Sequence, residues 1–403
     1  MKVLIADVFP QKYVESLEKL NCEVLYDQSL KDKGLTDELK RFSPNILIVR
    51  STGVTGEMFA ACPGLSLVIR AGSGYNTIDV KTASERSVYV ANCPGKNAIA
   101  VAELAMGLIL SLDRSIPDNV IALRAGKWDK KRFSKASGTY GRTLGVVGVG
   151  RIGREVIARA RAFGMHVIGW SRSLTPERAS TLGIGFCESF LDIADRSDVV
   201  SVHLALTDET KGLIGKEFFS RMKQGAHFIN TSRAEIVDHE ALREAVKTKS
   251  VRAGVDVYDD EPAEKECDYI SGLGSDPNVY GTHHIGASTE QAQNAVMEEA
   301  VSIVRDYMVT GHVRNCVNIL ERTPARYCLS VHHRNRVGIL AGVLDVVRDA
   351  KINVETMENI IFQGAEGACA RILIDGSLSA KDIESITKSS PDIYSVTQAT
   401  LEG

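Results

Sequence analysis

The N-terminal part of the chain alternates short apolar runs with segments of helical spacing. Residues 3–6, 23–26, 45–49, 67–70 and 88–92 read as strands, and residues 13–20 and 37–42 as helices between them. That alternation predicts a parallel sheet with crossover helices. A long apolar helix follows at 98–112, then a short basic segment, Gly126-Lys127-Trp128-Asp129-Lys130-Lys131-Arg132. From Thr143 a second series begins, with strands at 144–147, 166–170, 199–203, 226–230, 252–257 and 279–282. A helix at 289–309 closes it and is expected to pack back on the first domain, making that domain discontinuous.

After Pro324 the pattern changes. A strand at 327–332, a helix at 338–350, strands at 353–362 and 368–374, a helix at 379–388 and a strand at 393–399 give the order βαββαβ, a ferredoxin-like unit. Ser379 with Asp382 three residues on is a capping-box start for the second helix. The expected organisation is therefore α/β: one doubly wound domain from 1–97 and 288–317, a second from 98–287, a linker at 318–325 and a small domain at 326–403.

Composition narrows the class. A length of 403 residues suits two or three domains, and 44% apolar with 25% charged residues is ordinary for a soluble protein. The net charge of −3 gives no basic field for nucleic acid. The longest apolar stretch, 98–112, carries Glu103 and is too short to span a bilayer, so no membrane partner is expected. The first residues read directly as a strand, so no signal peptide is expected. The eight cysteines are scattered with no Cys-x-x-Cys pair, which argues against a disulfide framework or a metal site and for a reducing cytoplasm.

Gly148-Val149-Gly150-Arg151-Ile152-Gly153 fits G-x-G-x-x-G, and it follows a strand and opens a helix, the context a dinucleotide loop needs. Gly148 permits the tight turn, Gly150 lets the backbone approach a pyrophosphate, and Gly153 lets helix pack on strand. Free N–H groups at the helix start suit phosphates, with Arg151 and Ile152 inside the loop. The next strand ends in Ser171-Arg172, where an acidic residue usually holds the ribose of NAD. Arg172 is suited to a 2′-phosphate, so NADP stands beside NAD as the cofactor. Thr207, past the end of the 199–203 strand, is a further cofactor candidate.

Three groups follow the ends of later strands: Arg233, Glu261 and His284. Strand ends on the carboxyl side of an open parallel sheet converge on the ligand crevice. Oxidising a 2-hydroxy acid removes a hydride from carbon and a proton from oxygen. A histidine accepts that proton near neutral pH, a carboxylate orients the ring and raises its pKa, and an arginine holds the substrate carboxylate through its planar fork.

At this point the sequence resembles the D-isomer-specific 2-hydroxyacid dehydrogenases. The resemblance rests on Gly141-Arg142-Thr143-Leu144-Gly145, the Gly148 loop, Asn230-Thr231-Ser232-Arg233, Asp256-Val257-Tyr258 with Glu261-Pro262, and His284-Ile285-Gly286. It implies a flavodoxin-like substrate domain and a Rossmann cofactor domain. It also implies Arg233 as substrate anchor, Glu261 and His284 as the proton-transfer pair, and Asp256 on the nicotinamide amide. Backbone groups near Ser73 and Gly74 are implied to receive the substrate carboxylate. Arg70-Ala71-Gly72-Ser73-Gly74, Gly126-Lys127-Trp128 and Gly286-Ala287-Ser288-Thr289 look specifically like the phosphoglycerate dehydrogenase branch, which makes Arg50, Arg70 and Arg132 phosphate-binding candidates. Thr52 stands where some relatives carry a second cation. Ala234 and His283 depart from the usual glycine and proline of the catalytic loops.

The C-terminal segment resembles an ACT domain, an amino-acid-binding module. His333, Asn335 and Asn353 match its serine-binding positions, which implies L-serine as an effector and a homodimer or homotetramer. Hydroxypyruvate or glyoxylate reduction is the nearest rival reading, since it shares every catalytic residue. A nucleotide-sensing, corepressor-like binding protein is a further one, because fold does not fix function.

Overall fold

Lys2–Ile5 (β1), Glu23–Tyr26 (β2), Ile46–Val49 (β3), Leu67–Arg70 (β4) and Tyr89–Asn92 (β5) pair in parallel in the order β2-β1-β3-β4-β5. These are residues of a computed structural model that describes 1–262, 266–270, 272–320 and 322–401. All four residues of β3 are buried, because layers cover both faces. On one face Val3, Ile5, Ile46 and Ile69 pack against Val296, Met297, Ala300 and Val304 of the helix Glu290–Thr310. On the other, Leu4, Leu47 and Val68 meet Leu35, Leu39 and Phe59. The late helix thus does fold back on the first sheet. The strand order reverses between β1 and β3, which opens a crevice at the carboxyl ends.

The second sheet is Thr143–Val147 (β6), His166–Trp170 (β7), Gly185–Phe186 (β8), Val199–Val202 (β9), His227–Asn230 (β10), Arg252–Val255 (β11) and Val279–Gly281 (β12). It is parallel throughout, in the order β12-β11-β10-β9-β6-β7-β8. The reversal falls between β6 and β9, where the Gly148 loop leaves the sheet. The helix Ala98–Arg114 joins the two sheets and lies on the second. Small residues make that approach close: a Cβ on Gly254 would meet Leu108 at 3.0 Å and Leu112 at 3.4 Å.

These elements form one compact unit ending at Asn318, and a second begins at Ile319. Asn318, expected to open the linker, is instead fastened to the first unit. It accepts from the Val90 N–H at 2.8 Å and donates to Val88 O at 2.9 Å. An amide side chain satisfying the edge of β5 is a structural tie, so the free connection starts after it.

The second unit pairs Tyr327–Arg334 (β13), Val354–Ile361 (β14), Gly367–Ile374 (β15) and Ile393–Thr400 (β16) antiparallel in the order β14-β15-β13-β16. The helices Ile339–Asp349 and Ala380–Ser389 supply Val343, Val347 and Ile386 to a core with Leu329, Val331 and Ile372. Ser379 and Asp382 form the expected reciprocal cap. Among the described residues no helix is long and apolar enough to cross a membrane.

Candidate active site

The glycine loop has the shape its sequence demands. Gly148 has φ +102°, and a Cβ there would come within 2.5 Å of His203 O. A Cβ on Gly153 would meet Gly148 O at 2.2 Å, so helix Arg151–Ala162 packs on the strand only because that position is glycine. Around Gly150 there is open space, and as N-cap it offers no side-chain acceptor to the first helical N–H groups. These donors are thus free for an anion. Arg151 takes another direction: its Cδ would lie 2.4 Å from a Cβ on Gly95, so it packs over the segment between the sheets. Ile152 is partly buried against the helix–sheet core.

Ser171 and Arg172 follow β7, with Arg172 Nη1 4.0 Å from Glu209 Oε2. Thr207 folds the loop after β9 through its N–H, which donates to Thr210 Oγ1 at 2.8 Å.

Two of the candidate groups at the strand ends come together. His284 Nδ1 lies 2.7 Å from Glu261 Oε2, while Glu261 Oε1 accepts from the Tyr258 N–H at 2.9 Å. The hydrogen bond to Glu261 raises the His284 pKa, with Asp256 adding to it against burial and Arg233. Burial works against ionisation of Glu261, yet the bonds from His284 and the Tyr258 N–H outweigh it and hold the carboxyl below its ordinary value.

His284 has φ +50°, a left-handed conformation costly for a residue with a Cβ. Asp256, 1% exposed, enforces it. Its Oδ1 accepts from Thr282 Oγ1 at 2.6 Å and the Ile285 N–H at 2.9 Å, and its Oδ2 from the Gly286 N–H at 2.8 Å. Both oxygens are thus engaged by the loop carrying His284, whereas the family resemblance implied a nicotinamide contact.

Arg233 projects from a turn in which Ser232 N donates to Asn230 Oδ1 at 3.0 Å and Asn230 Nδ2 to Arg233 O at 3.0 Å. Its Nη2 would lie 2.7 Å from a Cβ on Gly74. Arg70 Nη1 would lie 1.7 Å from a Cβ on Gly72, so this glycine-rich segment admits both guanidiniums. Burial, then Arg233 and Arg50 nearby, lower the Arg70 pKa. Arg50, Arg70 and Ser73 line one cavity of about 50 Å³ with Asn97 and Gln293, two polar residues not expected at the site. Asp7, the nearby acid, is taken up by the N–H groups of Arg50, Ser51 and Thr52. No carboxylate forms an ion pair with Arg50, Arg70 or Arg233 among the described residues.

Arg132 is not brought to this cavity. It sits on the exposed turn Lys130–Phe133, 3.4 Å from Asp118 and over the ring of Phe133. His283 is exposed and lies outside the Glu261 pair. In the second unit His333 is 1% exposed, its Nδ1 2.8 Å from Arg334 O and its Nε2 3.2 Å from Asn359 Oδ1, so it faces the domain interior. Its place on β13 in the alternating core row explains this. Asn335 donates to Ala365 O at 3.1 Å and Asn353 to Glu355 Oε1 at 2.7 Å. These two stand at opposite ends of β15, roughly 23 Å of strand apart.

A doubly wound pair of sheets, a glycine dinucleotide loop and a His–Glu–Arg set at the strand ends define a dehydrogenase site. Residues 106–286 match the D-isomer specific 2-hydroxyacid dehydrogenase, NAD binding domain family. A hydroxypyruvate reductase of Thermotoga maritima is 41% identical over 271 residues, 66% of this chain and 86% of its own length. The chain therefore belongs to the D-isomer specific 2-hydroxyacid dehydrogenase family. A D-3-phosphoglycerate dehydrogenase of Methanocaldococcus jannaschii is 37% identical over 324 residues, 79% of this chain, which spans 60% of that relative's length. The crystal structure of an NAD⁺-bound 3-phosphoglycerate dehydrogenase from Entamoeba histolytica superposes with a TM-score of 0.65 at 27% identity, covering 79% of this chain and 99% of that one.

Proposed function

We propose that the chain interconverts D-3-phosphoglycerate and 3-phosphohydroxypyruvate with NAD, the first step of serine biosynthesis. This reading rests on three guanidiniums without ion-pair partners: Arg50 and Arg70 line the Ser73 cavity, and Arg233 lies beside them at Gly74, close enough to lower the Arg70 pKa. One carboxylate and one phosphate on a small acid would supply the missing anions. The Methanocaldococcus relative, named for this activity, supports it.

The glycine loop and the uncapped helix start would hold the pyrophosphate. A nicotinamide held there would take up the hydride in the oxidative direction and supply it in reverse. Arg233 holds the substrate carboxylate and polarises the oxygen at C2. Nδ1 of His284 is committed to Glu261, so Nε2 takes the hydroxyl proton or returns it. Glu261 stays ionised and stabilises the imidazolium that forms.

Three finer statements belong to the same proposal. L-serine binds between two copies of the C-terminal unit, an arrangement that would bring the distant Asn335 and Asn353 positions together across a pair. The chain works as a homodimer or homotetramer, supported by the helix Ile116–Arg124, which buries none of its residues and exposes Ile116, Val120, Ile121 and Leu123. Its location is cytoplasmic, in keeping with eight free cysteines.

Hydroxypyruvate reduction is the second reading, favoured by the Thermotoga relative. Initial rates with phosphohydroxypyruvate, hydroxypyruvate and glyoxylate, each with NADH and with NADPH and with or without L-serine, separate the two. Preference for the phosphorylated acid and inhibition by serine are expected. Equal rates on hydroxypyruvate would replace the first reading with the second.

A further inference from the structure

The strands β7, β6 and β9 are neighbours, and Trp170, Val147 and Val202 form one row across them. Past that row the chain leaves β7 as Ser171-Arg172, β6 as the Gly148 loop and β9 as the loop through Glu209. Strand spacing sets the ends of β7 and β9 roughly 10 Å apart, with the glycine loop between them. Arg172 and Glu209 reach across that interval to within 4.0 Å. Both side chains are about 70% exposed. An ion pair so exposed adds little to folding, which leaves as its notable property that it joins the two segments flanking the strand that enters the dinucleotide loop.

We infer that Glu209 is a specificity-determining residue that makes the adenosine end of the site select an unphosphorylated ribose, although the acid usually found after β7 is absent. This rests on the dinucleotide-binding reading of the second sheet. A ribose 2′-hydroxyl can donate to the Glu209 carboxylate. A 2′-phosphate carries acceptors only, is repelled by Glu209, and must displace it to reach Arg172. Arg172, which in the sequence alone opens the way to NADP, is thereby neutralised from the β9 side. Thr207, two residues earlier on the same loop, favours the ionised form of Glu209 and lowers its pKa.

The test is direct binding, without turnover. Dissociation constants for NADH and NADPH are measured by fluorescence titration for the wild type, Glu209→Gln, Arg172→Ala and the double variant, at low and at high salt. The wild type is expected to favour NADH. Glu209→Gln should shift the NADPH-to-NADH affinity ratio about fivefold towards NADPH, and Arg172→Ala in that background should erase the gain. The shift should shrink at high salt. A wild type that prefers NADPH, or a ratio that Glu209→Gln leaves unmoved, overturns the inference. That failure is distinct from failure of the proposed reaction, which would show as absent turnover of keto acids by a chain that still binds NADH with the expected ratios.

Discussion

Asp256 fixes the backbone on both sides of His284: it accepts from the Thr282 hydroxyl before it and from the Ile285 and Gly286 N–H groups after it. A buried carboxylate taking three donors offsets the left-handed strain at His284 and aims its Nδ1 at Glu261. Asp256→Asn is nearly isosteric but turns one acceptor into a donor that faces an N–H or O–H. It is expected to lower kcat by about 10²-fold, of the order lost with a misplaced proton-transfer group. Because Asp256 also helps raise the His284 pKa, the pH profile of the variant should move to lower pH. Unchanged kcat and pH profile would show that the loop holds its shape without Asp256.

Keto-acid reduction needs His284 protonated. Its pKa is raised above 6.5, chiefly by Glu261, so the rate should persist above pH 6.5 and then fall as the pH passes the shifted value. Glu261→Gln removes the main cause and should bring that fall to lower pH. The pair's contribution to stability follows the same logic. The His284 part is complete below pH 6.5 and is lost as pH rises through its folded pKa. The Glu261 part is present above pH 4.5 and is lost as pH falls through its own depressed value. Rates measured from pH 5 to 10 for both proteins check the catalytic claim.

His203 and His227 work in the opposite sense. Burial lowers them to about 4 and about 3, and His203 keeps only Ser201 Oγ as a partner of its Nε2, at 2.8 Å. Between these values and pH 6.5 the unfolded chain binds protons the folded one refuses. Stability should therefore fall as pH drops from 6.5 towards 4, by up to about 1.4 kcal/mol per pH unit for each histidine. Thermal unfolding at pH 5 and pH 7 tests this, and His227→Gln, where it folds, should flatten the slope.

Gly148→Ala and Gly153→Ala should each impair the second sheet more than Gly150→Ala. The first two Cβ atoms would strike backbone at 2.5 and 2.2 Å, whereas the third enters open space. The expected loss is about 2 kcal/mol or more for the first two, read by urea unfolding. Gly150→Ala should instead weaken NADH binding with stability near that of wild type.

The sheets were legible in the sequence because buried parallel strands are short apolar runs set between helices. β8 was not, since two residues carry no period. The helix Ile116–Arg124 was missed for a related reason: it buries no face, so no polar–apolar alternation marks it. Arg233, Glu261 and His284 were found because each directly follows a strand or its loop, where the topology forces convergence. The clamp by Asp256 was invisible, because which donors a carboxylate meets depends on loops 26 to 30 residues away. The surroundings of Arg132 and His333 were not legible either: the first lies on an exposed turn paired with Asp118, and the second in a core row of β13.

Selection of a phosphorylated acid by the arginine cavity is what the proposed function requires above all. The ratio of kcat/KM for phosphohydroxypyruvate over hydroxypyruvate with NADH, in the wild type and in Arg70→Gln, tests it most directly. A wild-type ratio of about 10² or more is expected, set by a charge-assisted phosphate contact, and it should fall at least about tenfold in the variant through KM for the phosphorylated acid. A wild-type ratio near one, or a ratio indifferent to Arg70, would contradict it.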